Sequence, residues 1–572
     1  MFITRRSLLS IPLILLVIGC ASSPAPVEQA HVIVERDAAS RWTAVWHLAA
    51  PERELRFERF ANGFRAGTFE VLTPGYRFET VDETEVLRTA GVPSRTIAVR
   101  FPVHTEKPVK EYAFFQQFTD GSVSIYSGHL LARVHRAGEK DCASCLVRDF
   151  VFVPPTGASV LADGKRSPSA IRWTDTAGQG TYVYFGSIEP VETGEMISII
   201  DPGLPPWLEK TARESLPRLF AHYHDRLGVS LPRRPTVLFN YVASDQRGFS
   251  NAGGTLPGLI QLGAEGRAWA NESPEAFLRI FRFLAHEAVH LWNGEIINYP
   301  DMADSWMHEG GADALAERAM LALGLIDEAA FLELQSAALN DCRRGLGSEP
   351  LRTAYKRSEF SLYYPCGNAI ALVTEAALRT ERSDHDLFSF WRQLIAHAMA
   401  TSDRKYHPVD YIDVWRKMGA DEASIAALRR IVEEVVTPDE LAATLTQHGV
   451  EITHPETPPA SFGQQAVRAA ALHLLVDRCR GRLGFRTMPE GLVINDPIDC
   501  EQLRAGDVVT AIGDHDVLRA GHLAADHLVA RCGSGEAASV TVRRGGALQH
   551  LEVPCAKPLA PVPAYVRIES RP

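Results

Sequence analysis

His286-Glu287-Ala288-Val289-His290 is followed, after eighteen intervening residues, by Glu309. On an α-helix, His286 and His290 lie about 40° apart around the axis and one turn along it, so both imidazoles can reach one ion. Glu287 lies about 100° round from His286, close enough to contact a water at that ion without being a ligand. Glu309, from a second helix, supplies a third ligand and leaves the fourth tetrahedral position open. That is the arrangement of catalytic rather than structural zinc. Asp313, one turn beyond Glu309 in Glu309-Gly-Gly-Ala-Asp313, is placed to hold the other nitrogen of a ligand histidine and fix its tautomer. The expected cofactor is one Zn2+ per chain.

The flanking sequence puts the motif on helices. Ser273-Pro274 offers an N-cap and a proline at the first helical position, and apolar residues then recur at helical spacing through Trp292. A loop at Asn298 to Ala303 turns the chain. Ser305 to Leu323 reads as the next helix, with Gly324 placed to end it in a left-handed turn. Upstream, Asp201-Pro-Gly-Leu-Pro-Pro206 breaks the chain and Trp207 to Leu227 reads as a helix. Thr236-Val-Leu-Phe239 and Leu259-Ile-Gln-Leu262 read as strands, joined through the glycine-rich stretch Gly248 to Gly258. More helices follow from Glu328 to about Glu440.

The chain has 572 residues, too many for one ordinary core. With 46% apolar and 23% charged residues it is globular in composition. A net charge of -11 without a long Lys/Arg cluster argues against a nucleic-acid partner. From His31 to Ile200 the pattern is strand-like: Ile97, Val99, Phe101 and Val103 alternate, as do Phe150 and Phe152, and Tyr182-Val-Tyr-Phe185 ends at a glycine. Short strands between Gly and Pro suggest a β-sandwich.

The N-terminus reads as an export signal. Arg5 and Arg6 precede an apolar core from Leu8 to Ile18, eleven residues and too short to span a bilayer. Val17-Ile18-Gly19-Cys20 resembles a bacterial lipobox, which makes Cys20 the lipidated N-terminus, and Ser22-Ser23-Pro24-Ala25-Pro26 a tether. The paired arginines leave both the general and the twin-arginine export routes open. Ala21 points to the periplasmic face of the outer membrane. Of the remaining cysteines, Cys142 and Cys145 suit a hairpin disulfide, with metal binding or redox chemistry as the alternative for this CxxC pair, and Cys342 can pair with Cys366. Cys479, Cys500, Cys532 and Cys555 allow three connectivities.

His-Glu-Ala-Val-His-Leu-Trp-Asn (286 to 293), joined to Ser-Trp-Met-His-Glu-Gly-Gly-Ala-Asp (305 to 313), resembles the gluzincin metallopeptidases. The order of domains most resembles the glycyl aminopeptidase family. That resemblance implies a multidomain α+β protein: signal peptide 1–20, tether 21–30, β-sandwich 31–200, thermolysin-like catalytic subdomain 201–325, helical lobe 326–453, linker 454–465, PDZ-like domain 466–558 and tail 559–572. It also implies that Tyr364, in Tyr364-Pro-Cys-Gly367, donates to the developing oxyanion. Gly253, Gly254 and Thr255 would line the substrate, with Thr255 where the family carries its amine-binding glutamate. His308 stands where the family has asparagine. Gly481-Arg-Leu-Gly-Phe485 resembles the carboxylate-binding loop of PDZ domains, with Leu483, Gly484 and Phe485 as its peptide-binding residues.

The expectation is therefore a zinc metallopeptidase, with Glu287 as general base and the strand around Leu259 to Leu262 holding a peptide in extended form. The neutral Thr255 leaves exopeptidase and endopeptidase action both open, since a desolvated ammonium needs a counter-charge. The rival is a lipid-anchored scaffold that binds peptides through its PDZ-like domain and keeps a non-catalytic zinc site.

Overall fold

A computed structural model describes residues 30–572, apart from 38–40, 60–62, 106–111, 135–144, 246–247, 348, 358, 382–383, 477–483, 496–499, 501 and 556–557. Cys20 and the export signal, Cys142, Cys479 and Leu483 lie outside the described residues.

The chain divides into two units, and the division is not the single cut expected near residue 200. The first unit holds the described residues up to Phe114, with Tyr126–Pro155 and Ser169–Gly180. Its strands form a six-stranded and a five-stranded sheet. Their apolar faces meet through aromatic rings: Trp46 and Phe101 from one sheet, Phe57 and Phe78 from the other, with Phe69 between. Strands Phe115–Gln117, Val123–Tyr126, Ser159–Ala162, Lys165–Ser167 and Tyr182–Gly186 form a separate five-stranded sheet that goes largely with the second unit. Strand patterning marks where strands occur but does not say which sheet each joins.

The second unit carries the metal motif. Its sheet runs Val191–Glu192, Ile197–Ile200, Thr236–Val242, Leu259–Glu265, Ser250–Leu256 across its width. Ile197–Ile200, Thr236–Val242 and Leu259–Glu265 are mutually parallel, and Ser250–Leu256 closes the sheet as an antiparallel edge strand. Helix Pro206–Leu227 packs under the motif helix Pro274–His290, where the Tyr223 hydroxyl donates to the Ala285 carbonyl at 3.0 Å. Beyond the motif come helices Gly311–Ala322, Glu328–Gly345, Tyr363–Glu381, Leu387–Met399, Pro408–Lys417, Glu422–Glu433 and Glu440–Gln447. Disulfide Cys342–Cys366 ties the second of these to the third.

The last part of the unit is an antiparallel sheet, Gly484–Met488, Gly491–Asn495, Val508–Ile512, Ala538–Arg544, Ala547–Val553 in that order, with helices Ala460–Val476 and Gly521–Gly533. The first of these helices begins inside the stretch 454–465 expected as linker. Cys532 pairs with Cys555, and Cys145 and Cys500 are also disulfide-bonded. The C-terminal stretch is not a free tail. Arg567–Ile568 pairs with Ile452–Thr453, and Asn340 bonds both backbone polar groups of Val566.

Candidate metal centre

The motif helix forms where its cap predicts. The Ser273 side chain accepts the Ala276 amide and Pro274 occupies the first turn. At His290 the α-helix gives way to a wider π-helical turn, Leu291–Ile296, and a second such turn, Trp306–Gly310, carries Glu309. The expected continuous helix from Ser305 to Leu323 is thus wound more loosely at its start, and only Gly311–Ala322 is α-helical. π-Turns of this kind gather at functional sites because they re-aim one side chain. Gly324 ends that helical segment at φ 67°, as expected.

His286 Nε2 lies 3.0 Å from His290 Nε2, and Glu309 Oε2 lies 3.3 Å and 3.4 Å from those two nitrogens. Zinc bonds of about 2.0–2.1 Å at tetrahedral angles require donors about 3.3 Å apart, so these residues fit the ion. Among the described residues this is the one such group of His, Cys, Asp or Glu donors.

The partners behind the donors fix their orientation. His286 Nδ1 lies 2.8 Å from Asp313 Oδ1, as the spacing predicted. His290 Nδ1 lies 3.0 Å from Asn293 Oδ1, and the Asn293 amide donates to the His308 carbonyl at 2.9 Å. Asp313 is paired with Arg282 at 2.9 Å, and Arg282 also donates to the fully buried Glu317 at 2.8 Å. Asn368 and Gln335 complete the shell of Glu317. Burial disfavours a charged His286, but the bonds to Asp313 and Glu309 prevail and push its pKa up to about 10. Burial likewise opposes ionisation of Glu309, yet the two imidazoles hold its carboxyl well below the usual range. The centre is built to keep Glu309 ionised, as a ligand carboxylate must be.

His308 is half-buried among the rings of the site. Its ring stacks on His290 at 4.1 Å between centroids and lies tilted against Tyr299 at 4.5 Å, and burial drives its pKa down, with His290 nearby adding to the effect. Tyr364 lies with its ring 5.7 Å from that of His286, nearly parallel, close enough for the Glu309 charge to act on its hydroxyl. Burial and the Glu309 charge raise its pKa far above the phenol range, so it remains a proton donor at neutral pH. Tyr363, one position away, points elsewhere and donates to the Arg352 carbonyl.

Two assignments need correction. Leu259–Glu265 is an interior strand, paired on both sides, so its backbone has no free edge for a peptide. The free edge belongs to Ser250–Leu256, which the glycines made read as a connection: glycine lowers strand preference, and sheet pairing overrides it here. Thr255 faces Glu287: its hydroxyl lies 2.7 Å from the Glu287 carboxylate and 2.8 Å from the Glu287 carbonyl. Of the carboxylate-loop residues, Gly484 opens an edge strand and Phe485 is buried in the core of the C-terminal sheet.

Arg282, Asn293 and Glu317 escaped the sequence reading, although their spacing was a signal. Arg282 and Asn293 sit four residues before His286 and three after His290, and Glu317 sits four after Asp313. Gln335 and Asn368 come from distant helices and carry no such mark.

No protein-family model matches the chain, and no curated protein matches it in sequence. Among solved structures, an aminopeptidase N family protein from Idiomarina loihiensis superposes with a TM-score of 0.59 at 16% identity, over 95% of this chain and 98% of that one. The fold is shared. Two others are weaker. The M1 zinc metallopeptidase of Deinococcus radiodurans gives 0.40 at 17% identity, covering 72% of this chain and 93% of its own. Native leukotriene A4 hydrolase of Saccharomyces cerevisiae gives 0.41 at 11%, covering 78% and 72%.

Proposed function

We propose that this chain is a zinc-dependent metallopeptidase that cleaves peptide bonds with Glu287 as general base. The observation that carries the proposal is the donor triangle of His286, His290 and Glu309 at tetrahedral spacing, with the Glu287 carboxylate beside it. When bound there, zinc supplies Lewis acidity, lowering the pKa of a water to about 7 and polarising a carbonyl. Glu287 takes the proton of the attacking water and passes it to the leaving amine. Tyr364 donates to the oxygen that gains charge. Asp313, held by Arg282, and Asn293 keep the two imidazoles aimed inward. The edge of Ser250–Leu256, where Ala252 and Gly253 are exposed, supports an extended substrate backbone.

The same proposal places the protein in the bacterial envelope, lipid-anchored at Cys20 on the periplasmic face of the outer membrane. The C-terminal sheet is its PDZ-like domain, taking peptide C-termini beside strand Gly484–Met488. Among the described residues no helix is long and apolar enough to cross a membrane. The scaffold reading is weaker, because binding alone does not require a glutamate beside three metal donors.

The test is digestion of a peptide library in free and N-blocked forms, with zinc and with chelator. Chelator-sensitive cleavage supports the peptidase. Trimming of free peptides alone assigns exopeptidase action, and cutting of blocked ones assigns endopeptidase action. No cleavage under zinc-replete conditions rejects the proposal.

A further inference from the structure

The edge strand Ser250–Leu256 runs along the motif helix in a fixed register. Asn251 Oδ1 accepts from Arg279 Nε at 2.8 Å. A Cβ on Gly253 would reach 3.1 Å from the Phe283 ring and overlap the Gln261 carbonyl, so this rung needs glycine. Thr255 Oγ1 meets Glu287. Strand positions 251, 253 and 255 therefore face helix positions 279, 283 and 287. Two strand residues advance about 6.7 Å and four helix residues about 6 Å, so the two repeats keep step over three rungs. The last rung ends beside the ligand His286.

Thr255 has one hydroxyl proton and two oxygens of the same residue within reach, Glu287 Oε2 at 2.7 Å and the Glu287 carbonyl at 2.8 Å. Turning the O–H bond shifts the donation from one to the other without moving a heavy atom. Glu287 is buried, so bulk water does not set the orientation of its carboxylate. Among the described residues, the hydrogen bond that does so comes from Thr255.

We infer that Thr255 is a positioning residue for Glu287. Its hydroxyl fixes the rotamer of the carboxylate beside the donor triangle, and the strand–helix ladder fixes Thr255 in turn. The geometry stands without the peptidase reading; its consequence for turnover rests on that reading. On this assignment the Thr255 hydroxyl is committed to Glu287 and not offered to a substrate.

Three variants of the zinc-loaded, full-length protein test it. Thr255→Val keeps the shape and the strand preference but removes the donor. It should lower kcat about tenfold to a hundredfold, the usual cost of a loosely placed reacting group, with KM and zinc content unchanged. Thr255→Ser should restore most of that loss. Asn251→Ala breaks the rung farthest from Glu287, in the strand proposed to support the substrate, and should act mainly on KM while lowering kcat less than Thr255→Val does. Crystal structures of Thr255→Val, with and without zinc, should show the Glu287 side chain in a new rotamer or in several. An unchanged Glu287 rotamer in that variant overturns the inference, whatever the activity. So does wild-type kcat in Thr255→Val, or an equal loss in Asn251→Ala, which would assign the effect to strand seating. If the wild type cleaves nothing, the peptidase reading fails alone and the crystallographic comparison still decides the role of Thr255.

Discussion

Gly367 meets Gly310 backbone to backbone: a Cβ on Gly310 would overlap the Gly367 Cα, and one on Gly367 would overlap the Trp306 carbonyl oxygen. This contact lets helix Tyr363–Glu381, which bears Tyr364, press onto the turn that carries Glu309. Gly367→Ala should push the two apart. A stability loss of about 1–3 kcal/mol, the usual cost of overpacking, is expected with weakened zinc retention. Thermal melting and metal analysis check it, and a variant with wild-type melting and zinc content would refute the close-approach argument.

Asp313 accepts from His286 Nδ1 and is itself held by Arg282. Asp313→Asn keeps the shape but removes the charge that orients the imidazole. Zinc affinity should fall about 10- to 100-fold, the range found when the partner of a ligand histidine is removed. Competition with a chelator of known affinity measures this. An unchanged dissociation constant would show that Asp313 serves only the buried pair with Arg282.

The centre was legible in sequence because helical periodicity is local. His286, Glu287, His290 and Asp313 stand at offsets that fix their directions on a helix, and Ser273 announces where that helix starts. Glu309 could be named, although the π-helical turn that carries it could not, since that turn is seated against Gly367 from a helix distant in sequence. The edge strand failed for a similar reason. Ala252-Gly253-Gly254 has the composition of a loop, and pairing with Leu259–Glu265 makes it a strand. Sheet membership in the N-terminal third was hidden too, because alternation along Tyr182–Gly186 looks the same whichever sheet receives it.

Glu287 is adjacent to a metal donor but is not in the donor triangle. Glu287→Gln keeps volume and polarity while removing the base. Turnover should fall about 100- to 10,000-fold, the span of general-base contributions, while zinc stays at one per chain. Steady-state kinetics with metal analysis tests this. Peptidase activity equal to that of the wild type would remove Glu287 from the mechanism.

The Cys342–Cys366 bridge links helix Glu328–Gly345 to helix Tyr363–Glu381, which bears Tyr364 and Gly367. It closes a loop of separation 24. A Cys342→Ser/Cys366→Ser variant should lose about 2–4 kcal/mol, because its unfolded chain regains the freedom that the bridge removes. Comparing its melting with that of the oxidised wild type checks this. No difference would mean that the packing around the bridge already holds the two helices.

Asp507 takes both Nε and Nη2 of Arg544, at 2.8 Å and 2.6 Å, and the Arg504 amide at 2.8 Å, tying the turn at Leu503–Val509 to strand Ala538–Arg544. Burial alone would raise its carboxyl pKa, but the Arg544 and Arg504 bonds outweigh it and hold the carboxyl below its usual range. A carboxyl whose folded pKa is depressed contributes stability above its unfolded pKa of about 3.9 and loses it as pH falls through the folded value. Asp507→Asn should therefore melt below the wild type near pH 7, and the gap between the two should close as the pH drops below about 4. Melting curves of both proteins across that interval decide it. A gap that stays constant down to pH 3 would assign the effect of the substitution to packing and not to the charge.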